Sequence, residues 1–236
     1  LRGELAQVDR VNMLGQLASG LAHELAQPLS ATRLNVEVAE RHLRGSAPDL
    51  EMLREIVADI HKDNTRAAEV IDRLRTLVKR GTVEAQPLAL EDVVRDVLAL
   101  LRSEAVSRKV VLENHLPPEL PRVLGDRVHI SHVLLNLVAN AMDAVQGSPE
   151  ERRNVVIEAR AAANGGLETV VTDSGPGIPD DKLEAIFAPL FTTKPGGLGM
   201  GLALSRAIIN AHGGRLWAKN GDGGIGATFC FTLPLA

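Results

Sequence analysis

The sequence has no tyrosine, a single tryptophan and an aromatic content of 2%. Stacking of nucleic-acid bases on aromatic platforms is therefore not expected, and the cores of helices and sheets must be filled by Leu, Val, Ile and Ala. A formal net charge of -4 gives no basic footprint, so no nucleic-acid partner is expected. The one cysteine, Cys230, cannot form an internal disulfide. It sits in an alternating, strand-like tail and reads as a packed thiol, which suits a reducing compartment and a cytoplasmic location. No run approaches the roughly 20 apolar residues that span a bilayer, and no secretory signal or internal repeat is visible. The chain starts at Leu1 without an initiator Met and already in helical sequence. An upstream part is therefore expected, and membrane or sensor contact would run only through it.

What is present is ordinary for a globular chain: 236 residues, 45% hydrophobic and 24% charged, enough for one or two domains. From about Leu5 to Leu43, the apolar residues Leu14, Leu17, Leu21, Leu25, Leu29, Val36 and Leu43 keep spacings of three, four or seven. That periodicity predicts one long amphipathic helix, about 60 Å at 1.5 Å per residue. Gly45-Ser46-Ala47-Pro48 breaks it, and Asp49 is placed to cap a second helix that carries Leu50, Leu53, Ile56, Ile60, Ala67, Ile71, Leu74 and Leu77. Such a hairpin cannot close a core alone, so pairing with a second copy as a four-helix bundle is predicted. Residues 1–80 form this hairpin, 81–87 a hinge and 88–236 a second domain. There the pattern predicts helices over Leu88–Ser107, from Asp126 to about Gln146, and over Leu202–His212. Strands are predicted over Val110–Leu116, Arg122–Leu124, Val155–Ala159, Glu168–Thr172, Arg215–Lys219 and Thr228–Leu233. The mixture is α+β rather than strictly βαβ.

The first helix contains Leu21-Ala22-His23-Glu24-Leu25-Ala26-Gln27-Pro28-Leu29. Leu21, Leu25 and Leu29 form one stripe, and His23 lies roughly 200° from it, facing solvent. Glu24 can hold a ring proton, Gln27 shares the face of His23 one turn on, and Pro28 is expected to bend the helix nearby. A surface histidine on an amphipathic helix is the plain alternative.

In the second domain Asn136 and Asn140 stand i, i+4 on one helix, amides whose oxygens suit a hard cation such as Mg²⁺ or simply line a solvated face. Asp143 follows one turn on. Asp173-Ser174-Gly175-Pro176-Gly177 puts a carboxylate at a strand end, where it can accept from an exocyclic amine, although the string by itself is also a plain turn. Lys194-Pro195-Gly196-Gly197-Leu198-Gly199-Met200-Gly201 runs glycine-rich into a helix, a geometry that offers N–H groups and a positive dipole to phosphates. His129 and His132 are spaced i, i+3, but two ligands do not make a metal site.

Taken in order, H-E-x-x-Q-P-L, N-L-V-A-N-A, D-S-G-P-G-I, F-A-P-L-F-T-T-K and G-L-G-M-G-L resemble the H, N, G1, F and G2 boxes of sensor histidine kinases. The resemblance covers essentially the whole chain. It implies a dimeric phosphotransfer hairpin followed by an α/β-sandwich ATP-binding domain of the Bergerat (GHKL) fold shared with type II topoisomerases, Hsp90 and MutL. The H-box style is similar to that of rhizobial oxygen sensors and dicarboxylate sensors.

By that resemblance His23 is the phosphoacceptor, Glu24 its acid/base neighbour and Gln27 the residue that supports dephosphorylation of a partner, where Thr or Asn is more usual. Asn140 would ligate Mg²⁺, Asn136 would lie beside the phosphates, and Asp143 would add charge near the cation. Asp173 would take the adenine amine, with Gly175, Gly177 and Ile178 shaping its pocket. Phe187 and Phe191 would anchor a mobile lid from about Pro179 to Met200. Thr193, Lys194, Gly197, Leu198, Gly199, Met200, Gly201 and Leu202 would approach the triphosphate of ATP. The implied partners are a second copy and a response-regulator receiver domain. One departure within the superfamily matters. ATP-hydrolysing members resemble E-x-x-x-N at the helix where this chain has Asn136-x-x-x-Asn140, and an amide cannot activate water. A GHKL ATPase, a Ser/Thr kinase and a degenerate dimeric scaffold are the rival readings.

Overall fold

The computed structural model describes residues 25–44, 49–78, 85–162, 165–194, 199–221 and 225–236, and the chain divides into two compact units, Leu1–Arg80 and Gly81–Ala236. His23, Glu24, Gly197 and Leu198 lie outside the described residues. In the first unit, helix α1 is described over residues 25–43 and carries Gln27 on an exposed turn. Helix α2 runs Leu50–Val78. Asp49 caps it as its sequence position predicts, Oδ1 accepting from Glu51 N–H at 3.0 Å and Met52 N–H at 3.2 Å. Ile56 is buried, yet Leu29 (52% exposed), Val36, Leu43 and Leu50 on the apolar stripes face outward.

The second unit is an α/β sandwich. Strand β1 (Gln86–Leu88) pairs antiparallel with β3 (Val123–Gly125). Gln86 and Pro87, expected in a connecting hinge, are thus part of a strand pair, and Pro87 is tolerated because a two-stranded ribbon has only edges. The main sheet has the order β2-β4-β5-β7-β6. It comprises β2 (Val111–His115), β4 (Asn154–Ala161), β5 (Leu167–Asp173), β6 (Leu216–Asn220) and β7 (Ala227–Leu233). The β2–β4 pair is parallel and the others antiparallel. Helices α3 (Leu90–Arg108), α4 (Arg127–Ala144) and α5 (Gly201–Ala211) form one layer over it, α4 in the middle against β4 and β5.

The core is aliphatic, as the shortage of aromatics requires, and Phe187, Phe229 and Phe231 are buried within it. Along β7 the alternation places Ala227, Phe229, Phe231 and Leu233 in that core. Cys230, of opposite parity, is fully buried, and burial pushes its thiol up to about 11, the signature of an inert packed thiol. Among the described residues, the segment Arg127–Gly147 containing α4 is long and apolar enough to cross a membrane. Here Ile130, Val133, Leu134, Leu137, Val138, Ala141 and Met142 bury it as the central helix of the sandwich.

Two devices fix the start of α4. Asp126 Oδ1 accepts from Val128 N–H (2.9 Å) and His129 N–H (3.1 Å), the expected cap. Buried His212, just past α5, uses both ring nitrogens. Nδ1 lies 2.8 Å from Ile208 O, an acceptor, so it carries the hydrogen, and Nε2 accepts from Asp126 N–H at 3.0 Å. One side chain thereby ties the end of α5 to the cap of α4.

Candidate active site

The end of β5 delivers Asp173 into the layer between sheet and helices, where it is 4% exposed. Its Oδ1 accepts from Gly175 N–H (2.8 Å) and from Ala227 N–H at the start of β7 (3.2 Å). Burial raises the carboxyl above its ordinary range, and these two amides pull partly against that shift. The backbone is packed so closely here that side chains are excluded. A Cβ on Gly175 would meet Asp173 Oδ1 at 2.8 Å and the Ala144 carbonyl at 3.0 Å. Gly226, at φ +75°, lies so near that a Cβ would fall 2.0 Å from Asp173 O, and its N–H donates to Gly175 O at 2.7 Å. Ser174 is sewn to β4, accepting from Asn154 N–H at 2.9 Å and donating to Arg152 O. Past Gly177 (φ +78°), Ile178 is held through both backbone groups by Asn220.

On α4, Asn136 and Asn140 emerge on one half-buried face and bond to each other, Asn140 Nδ2 donating to Asn136 Oδ1 at 3.4 Å. Asn136 Nδ2 donates to buried Ser205 Oγ of α5 at 3.0 Å, so this amide is fixed as a donor toward α5. A Cβ on Gly201 would sit 2.3 Å from Asn136 Oδ1, hence the glycine at the first position of α5. One turn along α4, Asp143 accepts from Arg108 of α3 and from Lys194. Lys194 Nζ also donates to Asn140 Oδ1 at 2.7 Å, so an amide oxygen and a carboxylate oxygen converge on one cation.

Burial alone would raise the Asp143 carboxyl; the hydrogen bonds and charges of Lys194 and Arg108 outweigh it and hold it below its ordinary range. The unfolded chain then binds the proton more readily, so this group's stabilisation is present above the ordinary carboxylate range and is lost as pH falls through the lowered value. Denaturant midpoints measured down through acid pH should therefore fall less steeply for Asp143→Asn than for the parent chain.

Between Ile178 and Lys194 the chain makes two short 3-10 turns, Asp180–Lys182 and Ala185–Phe187. Phe187 is sunk in the core, edge-on to Phe229 at 6.4 Å, with the Arg206 guanidinium 4.8 Å above its ring. Glu184 pairs with the same Arg206 at 3.3 Å. Phe191 is half-buried against the core, and Gly199 (φ +62°) lies on its backbone, where a Cβ would come within 2.1 Å of Phe191 O. Phe191 and Gly199 therefore lie back to back. Thr193 and Lys194 are exposed, buried Met200 precedes α5, and Leu202 packs on the core. Among the described residues no group of three His, Cys, Asp or Glu could hold a metal, so His129 and His132 gain no third ligand.

The structure brings together Asp173, Gly175, Gly177 and Ile178 at the end of β5, and Asn136, Asn140, Asp143, Lys194 and Gly201 along α4 and the start of α5. Sequence reasoning missed Arg108, Ser205, Asn220, Gly226 and Ala227. Only Gly226 carried a signal, as part of the glycine-rich Gly221-Asp222-Gly223-Gly224-Ile225-Gly226 before a strand.

A mixed sheet under a single helical layer, with a carboxylate buried between them at a strand end, is the architecture of the GHKL nucleotide-binding sandwiches. Residues 125–236 match the model of the histidine kinase-, DNA gyrase B- and HSP90-like ATPase family, and residues 13–83 that of the His Kinase A (phospho-acceptor) domain. The sensor protein FixL of Bradyrhizobium diazoefficiens is 40% identical over 237 residues, covering 100% of this chain and 46% of the relative. The catalytic domain of the histidine kinase ThkA superposes with a TM-score of 0.57 at 33% identity, covering 64% of this chain and 96% of that one. ThkA in complex with the response regulator protein TrrA gives a TM-score of 0.71 at 26% identity, over 100% of this chain and 66% of that one. The chain belongs to the histidine kinase family. It spans less than half the length of the curated relatives it matches.

Proposed function

We propose that this chain is the kinase core of a two-component system, transferring the γ-phosphoryl group of ATP to His23 and then to an aspartate on a response-regulator receiver domain. The observation that carries the reading is the state of Asn136. Its amide nitrogen is committed to Ser205 Oγ at 3.0 Å, so at the position where hydrolytic superfamily members resemble a glutamate base this chain offers no group to activate water. Bound ATP would be kept for a protein nucleophile. The His23 ring nitrogen attacks the γ-phosphorus, the bond to the β-γ bridging oxygen breaks, and ADP leaves. Glu24 holds the other ring nitrogen, and positioning supplies most of the rate.

Asp173 reads the adenine amine, the start of α5 and Lys194 take the phosphates, and Phe187 and Phe191 anchor the segment that covers them. Asn140 Oδ1 and Asp143 Oδ2 converge on an ammonium in the structure, a donor pair that suits a hard divalent cation. Bound there, Mg²⁺ would neutralise charge on the β- and γ-phosphates. The functional division is a phosphotransfer hairpin over 1–80, a connection that ends before β1, and a catalytic domain that begins with β1 at Gln86 and runs to 236. The ThkA–TrrA complex supports the receiver domain as partner.

The test is transfer of label from γ-labelled Mg·ATP to the purified chain, then to a receiver domain. Acid-labile, alkali-stable label that moves to the receiver is expected. Phosphate release without protein label would establish an ATPase instead, and alkali-labile label on serine a different kinase.

We further propose that the hairpin dimerises. Leu29, Val36, Leu43 and Leu50 are 41–68% exposed in a single chain, and burying what remains exposed of each would contribute roughly 1–2 kcal/mol. Light scattering should report a dimer for the parent chain and a monomer for Val36→Asp/Leu43→Asp; a parent monomer would overturn the assignment.

A further inference from the structure

We propose that Asn220, which lies outside every nucleotide motif of the sequence, is a positioning residue that gives the base pocket its selectivity for the 6-amino group. The inference rests on the reading that Asp173 takes adenine.

Asn220 is the last residue of β6, the edge strand of the main sheet. Its side chain does what a further strand residue would do. Oδ1 accepts from Ile178 N–H at 2.8 Å, and Nδ2 donates to Ile178 O at 2.6 Å. The second Nδ2 hydrogen reaches Asp180 Oδ1 at 3.1 Å. Both donors and the acceptor of the amide are therefore spent on one stretch of loop, and both backbone groups of Ile178 are satisfied by a residue 42 positions away.

That stretch needs a tie. The chain leaves the sheet at Asp173 and reverses at Gly177 with φ +78°, a residue type that moves freely between positive and negative φ. On the near side of Gly177 the loop is fastened by Ala227 N–H to Asp173 Oδ1 and by Gly226 N–H to Gly175 O. On the far side it is fastened by Asn220. Removing the amide leaves Asp173 with both its N–H partners, so the acid stays where it is, while the wall beyond Gly177 loses two backbone bonds and can pivot. The expected defect lies in how the base is gripped against the acid, with the sandwich itself intact.

The experiment compares the full chain with Asn220→Ala, Asn220→Asp and Asn220→Gln, titrating each with ADP and with purine riboside diphosphate, which lacks the 6-amino group. For the parent chain, loss of the amine should weaken binding about 30-fold. In Asn220→Ala and Asn220→Asp, ADP should bind about tenfold more weakly and the penalty for losing the amine should shrink severalfold, with Asn220→Gln restoring part of both. Hydrogen exchange at the Ile178 amide should accelerate in Asn220→Ala without ligand, while the melting temperature stays close to that of the parent. Accelerated exchange with an unchanged amine penalty would overturn the proposal. Equal weakening of both ligands together with a lowered melting temperature would do the same, reducing Asn220 to a structural tie. No ADP binding by the parent chain would sink the adenine reading and the inference with it; an amine penalty in the parent that Asn220→Ala leaves intact sinks the inference alone.

Discussion

Replacement of His23 by glutamine is expected to abolish phosphoryl incorporation while leaving ATP affinity unchanged. Glutamine keeps a polar side chain of similar reach, but its amide has no nucleophilic lone pair to displace ADP, so the rate should fall to background, a loss of at least about 10⁴-fold. The residues proposed to bind ATP lie in the second unit. Binding measured by titration and label measured after gel separation therefore give opposite answers for one variant: full affinity, no label. Residual acid-labile label in His23→Gln would move the acceptor to another of the seven histidines and overturn the assignment.

The second large effect is expected at Asp173. In Asp173→Asn the side-chain oxygen must stay in the Oδ1 position to accept from Gly175 and Ala227, which turns the new NH₂ toward the base. A donor then faces the donor of the adenine amine. Losing a charge-assisted hydrogen bond and leaving that clash should cost about 3 kcal/mol or more, at least about 100-fold in ATP affinity.

Stability should move the other way. Burial raises the Asp173 carboxyl, so ionisation at neutral pH works against the fold, and a neutral isostere removes that penalty. Across the window from the ordinary carboxylate value up to the raised one, the native parent holds the proton more tightly and loses stability as pH rises; Asp173→Asn should lack that slope. Paired ATP titrations and denaturation curves check both signs. Undiminished ATP binding in Asp173→Asn would remove this residue from the pocket.

What could be read from the sequence was what is local in the chain. Asp49 and Asp126 cap the helices they precede, because a cap and its N–H groups are two or three residues apart. Strands β4, β5 and β7 appear where alternation and β-branched residues put them. The short β1 did not, since Pro87 reads as a break unless its partner Leu124 is known. The sheet order was hidden for the same reason: β7 lies between β5 and β6, and no periodicity specifies a neighbour.

The candidate site divides in the same way. Asp173, the asparagines and the glycines announce themselves as residue types in motifs. The groups that hold them arrive from elsewhere: Ser205 on Asn136, Arg108 on Asp143, Asn220 on Ile178. Lys194 illustrates the limit. A lysine in a glycine-rich loop suggested a phosphate ligand, but nothing local announced that its ammonium also meets Asn140 and Asp143, more than 50 residues away.

The bond from Ala227 to Asp173 joins residues 54 positions apart, and it has a consequence for how the domain is made. Synthesis at about 5–20 residues per second places the acid in the cell roughly 3–10 s before its amide partner exists. During that interval β5 has β4 beside it but an open edge where β7 belongs, and the pocket has only one of its walls. On the proposed reading of the site, the pocket around Asp173 is incomplete until β7 is in place. A nascent chain stalled before β7 presents an unpaired β5 edge for chaperones to cover.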